Sequence, residues 1–386
     1  MLPGRDLNLY DAAVVSRVWE QRRLRQLYDL GKGQTRLQIF SWESMSLRTM
    51  PKSALFAAAF QLRLGVQVSV EELLARLVAM GYSRAPMVEG PGQFALRGNP
   101  GPVFPAEGQP VRVEFFGDEL DTMGYFDPNT QRRTENVEEI TVLPVAESQP
   151  GLHPGGIPGL QRDLQALLAR QKRRKNQNER LIRTLEQDLE RLENGVSLPA
   201  PDRYMALIAP EMTTALDYVP QDALVVVCDH SGLHRAAKRR MEELGLQLDS
   251  LLETGSVAGE LCDFVCQWEE FCARLEGRPV AYLDAFAGAA YPMDRQPGHL
   301  LAFTAKQLPG YGGNLETAAS DLAHYQKMEF SSLVLCGSRR RAELLQTMLS
   351  DRGLSSFLAF PSGPCPGRGR FSWRRATCPA AWSIPP

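Results

Sequence analysis

Helical and strand-like patterns of hydrophobic positions alternate along the first 80 residues. Residues 8–30 carry apolar positions at helical spacing and lead into a glycine that ends the pattern. The apolar run at residues 37–40 predicts a short buried strand, and residues 53–64 predict a second helix. Residues 70–80 predict a third helix, which Gly81 terminates. The chain therefore begins with an α/β pattern.

Between residues 86 and 145 the pattern changes to short strands separated by Gly, Pro and Asn turns. The clearest alternation lies in the segment Val-Arg-Val-Glu-Phe-Phe. Val111, Val113 and Phe115 point to one side of this strand, whereas Arg112, Glu114 and Phe116 point to the other. The first side predicts core. The second side combines a cation, an anion and an aromatic ring, a mixture typical of protein contact surfaces.

The C-terminal half returns to a mixed pattern. Residues 151–159 are rich in Gly and Pro and predict a linker, and residues 160–194 predict one long helix that ends at Gly195. The continuous apolar run at residues 223–228 predicts a parallel strand buried on both faces, and residues 231–245 predict the helix that follows it.

A second strand–helix unit follows late in the chain. Its strand is predicted at residues 332–336 and its helix at residues 339–352, with Ser338 as N-cap and Gly353 as C-cap. Residues 361–386 are rich in Pro, Arg, Trp and Ser without periodicity, and we expect no continuation of the fold there.

Charge narrows the possible partners. The 386-residue chain has a net charge of −2 and a pI of about 6.3, so it is not basic overall as nucleic-acid-binding domains usually are. Residues 87–147 contain four Arg and no Lys against three Asp and eight Glu, a net charge of −7. This acidity disfavours a phosphate-binding face and favours a protein partner.

The same sequence predicts a cytoplasmic protein. No apolar run approaches the ~18–20 residues of a membrane helix. The first residues lack the apolar stretch of a signal peptide. Seven cysteines at irregular spacing favour free thiols.

Three segments resemble chemical sites in part, and each favours a structural interpretation. Gly31-Lys-Gly-Gln-Thr35 resembles a phosphate loop in composition only, since the full motif is absent and a helix precedes it. Asp229 stands at a strand end, where an ATPase carries its metal-positioning acid, but it lacks a phosphate loop to act with. The spacing of Cys262, Cys266 and Cys272 on an apolar helix favours buried thiols over a zinc site.

Two basic runs could hold an anion. Lys172-Arg-Arg-Lys175 could contact nucleic acid, although such a run is more often a solvated helix face. Ser338-Arg-Arg-Arg341 could hold an anion at a helix N-terminus, although the favoured interpretation is an exposed helix with a capping serine. The residues therefore predict no catalytic, cofactor or metal site.

Five clusters within the β-rich region carry a family resemblance. Residues 80–98, 104–105, 110–121, 125–133 and 143–147 closely resemble UvrB and the bacterial transcription-repair coupling factors (Mfd). Residues 3–10 and 41–44 look like the degenerate first domain of the coupling factors, and residues 332–354 resemble their third domain. The resemblance covers residues 2–360.

This resemblance implies an α/β fold: a degenerate P-loop-ATPase-like (UvrB-like) domain with an inserted α+β module, followed by a small α/β domain. The expected divisions are 1–66 and 150–295 for the UvrB-like domain, 67–149 for the inserted β-rich module, 296–360 for the small domain and 361–386 for an aberrant tail. In the family, the module recruits the damage-recognition subunit UvrA. By motif position the contacts fall on Arg97, Arg112 and Phe116, and we add Arg132 from the neighbouring motif.

The resemblance also implies what the chain lacks. The family's RNA-polymerase-interacting domain and DNA translocase, which uses ATP and Mg²⁺, should follow residue 360. RNA polymerase and DNA would then be partners only through domains missing here, and we expect no ATP hydrolysis. The alternatives are a UvrB-type ATPase subunit of the excinuclease or a non-functional truncated gene product.

Two departures from the family pattern are expected to matter. Pro100 and Pro102 remove ladder donors and should damage a strand next to Arg97. The second departure is the absence of the RNA-polymerase-interacting domain and the translocase after residue 360. Our hypothesis for residues from about 361 is an out-of-frame translation of a longer gene.

Overall fold

A computed structural model describes residues 1–10, 18–95, 102–105, 108–285, 291, 297–303, 306–307, 311, 315–330, 332–336, 338–358, 371–375 and 382–383. The chain divides into two compact units, Met1–Gln296 and Pro297–Pro386.

The α-helices of the described residues are α1 Val18–Gly31, α2 Trp42–Ser46, α3 Lys52–Ala58, α4 Val70–Ala79, α5 Gly156–Arg173, α6 Glu179–Glu193, α7 Met205–Ile208, α8 His230–Glu253, α9 Trp268–Arg274, α10 Leu315–Lys327 and α11 Arg339–Ser350. In the described part, no helix is long and apolar enough to cross a membrane.

The strands are mostly short. They are β1 Phe60–Arg63, β2 Ser83–Arg84, β3 Gln93–Phe94, β4 Pro102–Phe104, β5 Val111–Phe116, β6 Glu119–Phe126, β7 Arg133–Asn136, β8 Glu139–Val142, β9 Val225–Cys228, β10 Val280–Leu283, β11 Lys306–Gln307, β12 Leu333–Cys336, β13 Ser356–Leu358, β14 Phe371–Arg375 and β15 Trp382–Ser383. Helices and strands are mixed along the chain, as the α/β prediction requires.

A six-stranded sheet forms the centre of the β-rich module, in the order β2-β3-β4-β5-β6-β7. β2 and β3 are parallel, and the other neighbouring pairs are antiparallel. The predicted helix at 70–80 is confirmed as α4, with Ser69 accepting a hydrogen bond from the Glu72 amide at its start. Gly81 follows α4 at φ +87°, a conformation that favours glycine. Leu73 and Leu77 of α4 pack on the inner side of the sheet.

The predicted long helix at 160–194 is wrong, because the structure has two helices, α5 and α6, separated by residues 174–178. They fold back on each other and bury Leu164 and Leu167 of α5 against Leu181 and Leu185 of α6. The apolar pattern is interrupted between residues 168 and 181, so a continuous helix would have had no buried side there. The predicted linker is also partly wrong, since α5 already begins at Gly156.

The apolar run at 223–228 forms β9, which pairs in parallel with β10 as predicted. Burial on both faces is not observed. Val227 is buried, whereas Val226 is 47% exposed. α8 follows directly and extends to Glu253, beyond the predicted end.

Three N-terminal predictions require correction. Residues 8–10 are not helical, and α1 begins at Val18 in the described part. Residues 37–40 form no strand, because they pair with no other strand among the described residues, and Leu37 is 80% exposed. Only the first half of 53–64 is helical, since β1 takes Phe60–Arg63 and pairs with β8.

The second unit contains the late strand–helix unit in its predicted place. β12 precedes α11, and the Ser338 hydroxyl accepts a hydrogen bond from the Arg341 amide, which confirms the predicted cap. The tail differs from the expectation: β14 lies between β12 and β13 and is parallel to both.

Candidate protein-docking surface

The β5–β6 hairpin positions the candidate surface. Its loop consists of Gly117 and Asp118, because Phe116 pairs directly with Glu119. Gly117 has φ +63° and Asp118 has no positive φ, the pattern of a type II′ turn with glycine first. This turn matches the twist of the strands and sets the register that places each side chain of β5.

The inner and outward faces of β5 are as the alternation predicts. Val111, Val113 and Phe115 are buried in the module core. The outward face consists of Arg112, Glu114 and Phe116 on β5 with their cross-strand partners Gly124, Thr122 and Glu119 on β6. A register shift after Glu114 leaves Asp121 as an extra residue of β6.

The Phe116 end of the outward face is apolar at its centre and acidic around it. Phe116 is 82% exposed, more than the other large hydrophobic side chains of the described residues. Its neighbour Glu119 accepts a hydrogen bond from the Gln67 side chain at 3.1 Å. Thr122 donates to the Glu114 carboxylate at 2.9 Å on the same face. An exposed ring with fixed acidic neighbours suits a pocket with a basic rim.

The Arg112 end is more tightly built. The Arg112 guanidinium lies over the ring of Phe126, 5.4 Å from its centroid, and donates to the Gln131 carbonyl at 3.3 Å. Phe126 is buried with Val88 and Ala95, which cover this end of the sheet. Arg112 is therefore half-buried, and its charge is held in a defined place.

The β6–β7 turn brings Arg132 next to this anchored arginine. Gln131, at φ +59°, precedes Arg132 and supplies the carbonyl that Arg112 contacts. The Asp127 carboxylate organises the turn by accepting hydrogen bonds from the Asn129 and Thr130 amides. These hydrogen bonds lower the pKa of Asp127. Arg132 itself is exposed.

Arg133 belongs to this surface but was missed from the sequence. It donates to the Met123 carbonyl at 2.5 Å and lies across Gly124, where a Cβ atom would be 2.0 Å from its Nε. A glycine inside a strand often marks such a close approach, so Gly124 was the available signal. Arg112 and Arg133 give the outward face a basic end opposite its acidic end, and the exposed Arg132 adds a positive charge on the adjoining turn.

The structure locates three of the four predicted contact residues. Arg112 and Phe116 share the outward face, about 13 Å apart at about 3.3 Å per residue, and Arg132 lies near Arg112. Arg97 lies outside the described residues, as does Pro100. The expected damage from Pro102 is not observed: it is the first residue of β4, pairs with Arg112 and is tolerated at a strand start.

A buried set of charges fixes the module at its junction with the rest of the unit. We call Arg5, Glu20, Arg23, Glu147 and Asp202 the junction cluster; all five are buried. Glu147, at the end of the module, accepts hydrogen bonds from Thr49 and from the Met50 amide at 3.1 Å. It therefore connects the chain leaving the module to the segment just before α3.

Two arginines neutralise these carboxylates. Arg5 donates to Glu20 at 3.1 Å and to Asp202 at 2.9 Å, and Nε of Arg23 lies 3.4 Å from Glu147. Burial lowers the pKa of Arg23, although Glu147 opposes this shift. Burial also favours neutral Asp202, but Arg5 and hydrogen bonds outweigh it, so its pKa is lowered.

The other candidate residues have structural roles in the described part. Asp229 adopts φ +51° and caps α8 by accepting from the Gly232 amide at 3.0 Å. Cys266 and Cys272 are buried free thiols, and burial raises their pKa values to about 12 and about 11. Cys262 is only half-buried. The helix that was predicted to carry these cysteines is not observed at residues 262–267.

Comparison with known proteins shows that the segment containing the outward face is similar to a known domain. A family model described as the UvrB interaction domain matches residues 60–147. The chain is 24% identical to the transcription-repair-coupling factor of Staphylococcus aureus strain MRSA252 over 362 residues, 92% of this chain and 30% of that protein. It is 26% identical to the factor of Staphylococcus haemolyticus strain JCSC1435 over 75% of this chain and 24% of that protein.

These matches confirm the predicted relationship to the transcription-repair coupling factors. The chain spans less than a third of the length of these relatives. The matched domain contains the whole outward face and ends at Glu147 of the junction cluster.

Proposed function

We propose that this relative of the transcription-repair coupling factors recruits UvrA through the outward face of its β-rich module. The observation that carries the proposal is Phe116, an 82% exposed ring inside a UvrB interaction domain. The basic end at Arg112 and Arg132 would contact an acidic patch of the partner, while Phe116 enters an apolar pocket. Opposite charges at the two ends would fix the orientation of the bound partner.

Binding of purified UvrA to single variants tests this proposal. We expect Phe116→Ala to weaken binding by roughly thirtyfold or more, the effect of about 2 kcal/mol lost at an interface hot spot. Tyr10→Ala is the matched control, because Tyr10 is an exposed aromatic residue outside the module. Equal affinity of wild type and Phe116→Ala would reject the proposed face.

Arg112 needs a separate design because it also has internal contacts. Arg112→Ala removes the interaction with Phe126, so its thermal melt must be measured beside its affinity. Within the described part of the structure, the Arg132 side chain makes no hydrogen bond, ion pair or ring contact, so Arg132→Ala tests the basic end more directly. We expect both variants to weaken UvrA binding, and unchanged affinity in both would remove the basic end from the surface.

We further propose that the UvrB-like domain, into which the β-rich module is inserted, is a degenerate P-loop domain that does not hydrolyse ATP. Support comes from Gly31–Thr35, which follows α1 instead of a strand, and from Asp229, whose carboxylate caps α8. A strand-to-helix loop is what a phosphate loop requires. ATP hydrolysis by the purified chain without UvrA would contradict this proposal and favour the UvrB-type ATPase.

A further inference from the structure

The turn between α5 and α6 concentrates positive charge that the overall net charge conceals. We call residues 170–183 the basic tip. Its seven cations are Arg170, Lys172, Arg173, Arg174, Lys175, Arg180 and Arg183, and its one acidic residue is Glu179. Residues 172–177 are all exposed.

The basic tip is held in place by a few contacts at its base. Glu260 accepts hydrogen bonds from the buried Gln171 at 3.0 Å and from Arg174 at 2.6 Å. Asn178 caps α6 and donates to the Leu252 carbonyl at 3.2 Å. The turn is therefore tied to α8 and to the segment around Glu260.

These contacts use only part of the positive charge. Arg170 and Arg174 lie near Glu260, and Lys172 pairs with Glu186 at 2.6 Å. Among the residues that the structure describes, no carboxylate pairs with the remaining cations. They are Arg173, Lys175, Arg180 and Arg183.

We propose that the basic tip binds the phosphate backbone of a nucleic acid. Residues 172–180 contain no apolar or aromatic side chain, so they offer no apolar core for a protein interface. Nucleic-acid interfaces are instead polar and strongly positive. The surface differs in place and chemistry from the UvrA-docking face and is independent of that proposed function.

Salt-dependent binding of the full chain to short fluorescent duplexes of DNA and of RNA tests the proposal. Four phosphate contacts would give a slope of log affinity against log salt of roughly −3.6 for DNA, at about −0.9 per phosphate. We expect the combined variant Arg173→Gln, Lys175→Gln, Arg180→Gln and Arg183→Gln to flatten this slope by about 3.6 and to weaken binding at least tenfold at low salt.

A matched variant distinguishes an effect of the basic tip from an effect of the chain's net charge. Arg235→Gln, Lys238→Gln, Arg239→Gln and Arg340→Gln also removes four positive charges, from α8 and α11. The proposal requires this control to keep most of the affinity, with both variants melting like wild type. It is overturned if both variants lose affinity equally, if the tip variant binds normally, or if polyglutamate competes as well as DNA. A preference between the DNA and RNA duplexes would identify the source of the phosphate.

Discussion

The junction cluster and the outward face both use arginine, but they place the guanidinium group in opposite surroundings. Arg23 is completely buried and lies 3.4 Å from Glu147, whereas Arg132 is exposed on a turn. A buried charge is costly unless its partner remains, while an exposed charge costs little and stays available to a partner protein. The junction cluster should therefore govern stability, and the outward face should govern binding.

Removing one carboxylate from the junction cluster should strongly reduce stability. Glu147→Ala leaves the buried Arg23 without its carboxylate ion pair and the Met50 amide without its acceptor, and we expect a loss of about 3–5 kcal/mol in the free energy of unfolding. Urea denaturation followed by circular dichroism measures this loss. Glu135→Ala, on exposed β7, is the control and should change stability by less than about 0.5 kcal/mol. A loss below about 1 kcal/mol for Glu147→Ala would contradict the assigned role.

Adjacent phenylalanines allow the comparison to be made within one strand. Phe115 is buried in the module core and Phe116 faces solvent. We expect Phe115→Ala to cost about 3–5 kcal/mol of stability and Phe116→Ala to cost less than about 0.5 kcal/mol. Denaturation curves of both variants measure the difference. Equal losses would mean that the ring of Phe116 packs inside the protein, and the docking proposal would lose its main support.

A half-buried network around Glu270 lies between these extremes and predicts a pH dependence. Hydrogen bonds from Arg48 and Arg274 lower the pKa of Glu270 from its usual 4.5 to about 2. Because the folded pKa lies below the unfolded one, this group contributes stability above about pH 4.5 that is lost as the pH falls towards 2. The lowered pKa of Asp202 acts in the same direction.

Thermal melts at several pH values measure this effect. We expect Glu270→Gln to be less stable than wild type near neutral pH and to lose less stability on acidification. The difference should be smaller than for Glu147→Ala, since solvent screens a half-exposed carboxylate. Parallel pH profiles for wild type and Glu270→Gln would show that Glu270 is not stabilised by its arginines.

Local sequence signals explain which parts of the fold could be predicted. α4 has an N-cap serine, an apolar stripe and a terminal glycine, and β5 alternates without interruption, so both follow from short-range rules. Arg112 and Phe116 could be placed outward for the same reason. Their unequal exposure could not, because Phe126 and Gln131 reach Arg112 through the register of β5, β6 and β7.

The failed predictions depend on distant partners. No Gly or Pro lies between Leu160 and Glu193, so the break between α5 and α6 was signalled only by the missing apolar positions and by Asn178, the N-cap of α6. The run at 37–40 is apolar enough for a strand, but no second strand pairs with it in the described residues. Residues 31–35, Asp229 and the cysteines could be given structural interpretations because their spacing lacked a complete motif.

A small effect on stability is also expected at Gly124, which the Arg133 side chain covers. Gly124→Ala places a Cβ against the Arg133 guanidinium, which must move and release its hydrogen bond to the Met123 carbonyl. Losing that hydrogen bond lowers the free energy of unfolding by about 0.5–1.5 kcal/mol. Replacing a strand glycine with alanine raises it by about 0.5–1 kcal/mol. Met123 also keeps the hydrogen bond that its carbonyl accepts from Val137.

We therefore expect Gly124→Ala to change stability by less than about 1 kcal/mol. Urea denaturation measures this change, with Gly90→Ala as the control because its Cβ would meet open space. A loss above about 2 kcal/mol would mean that Arg133 cannot move, and the basic end would then be as rigid as the junction cluster.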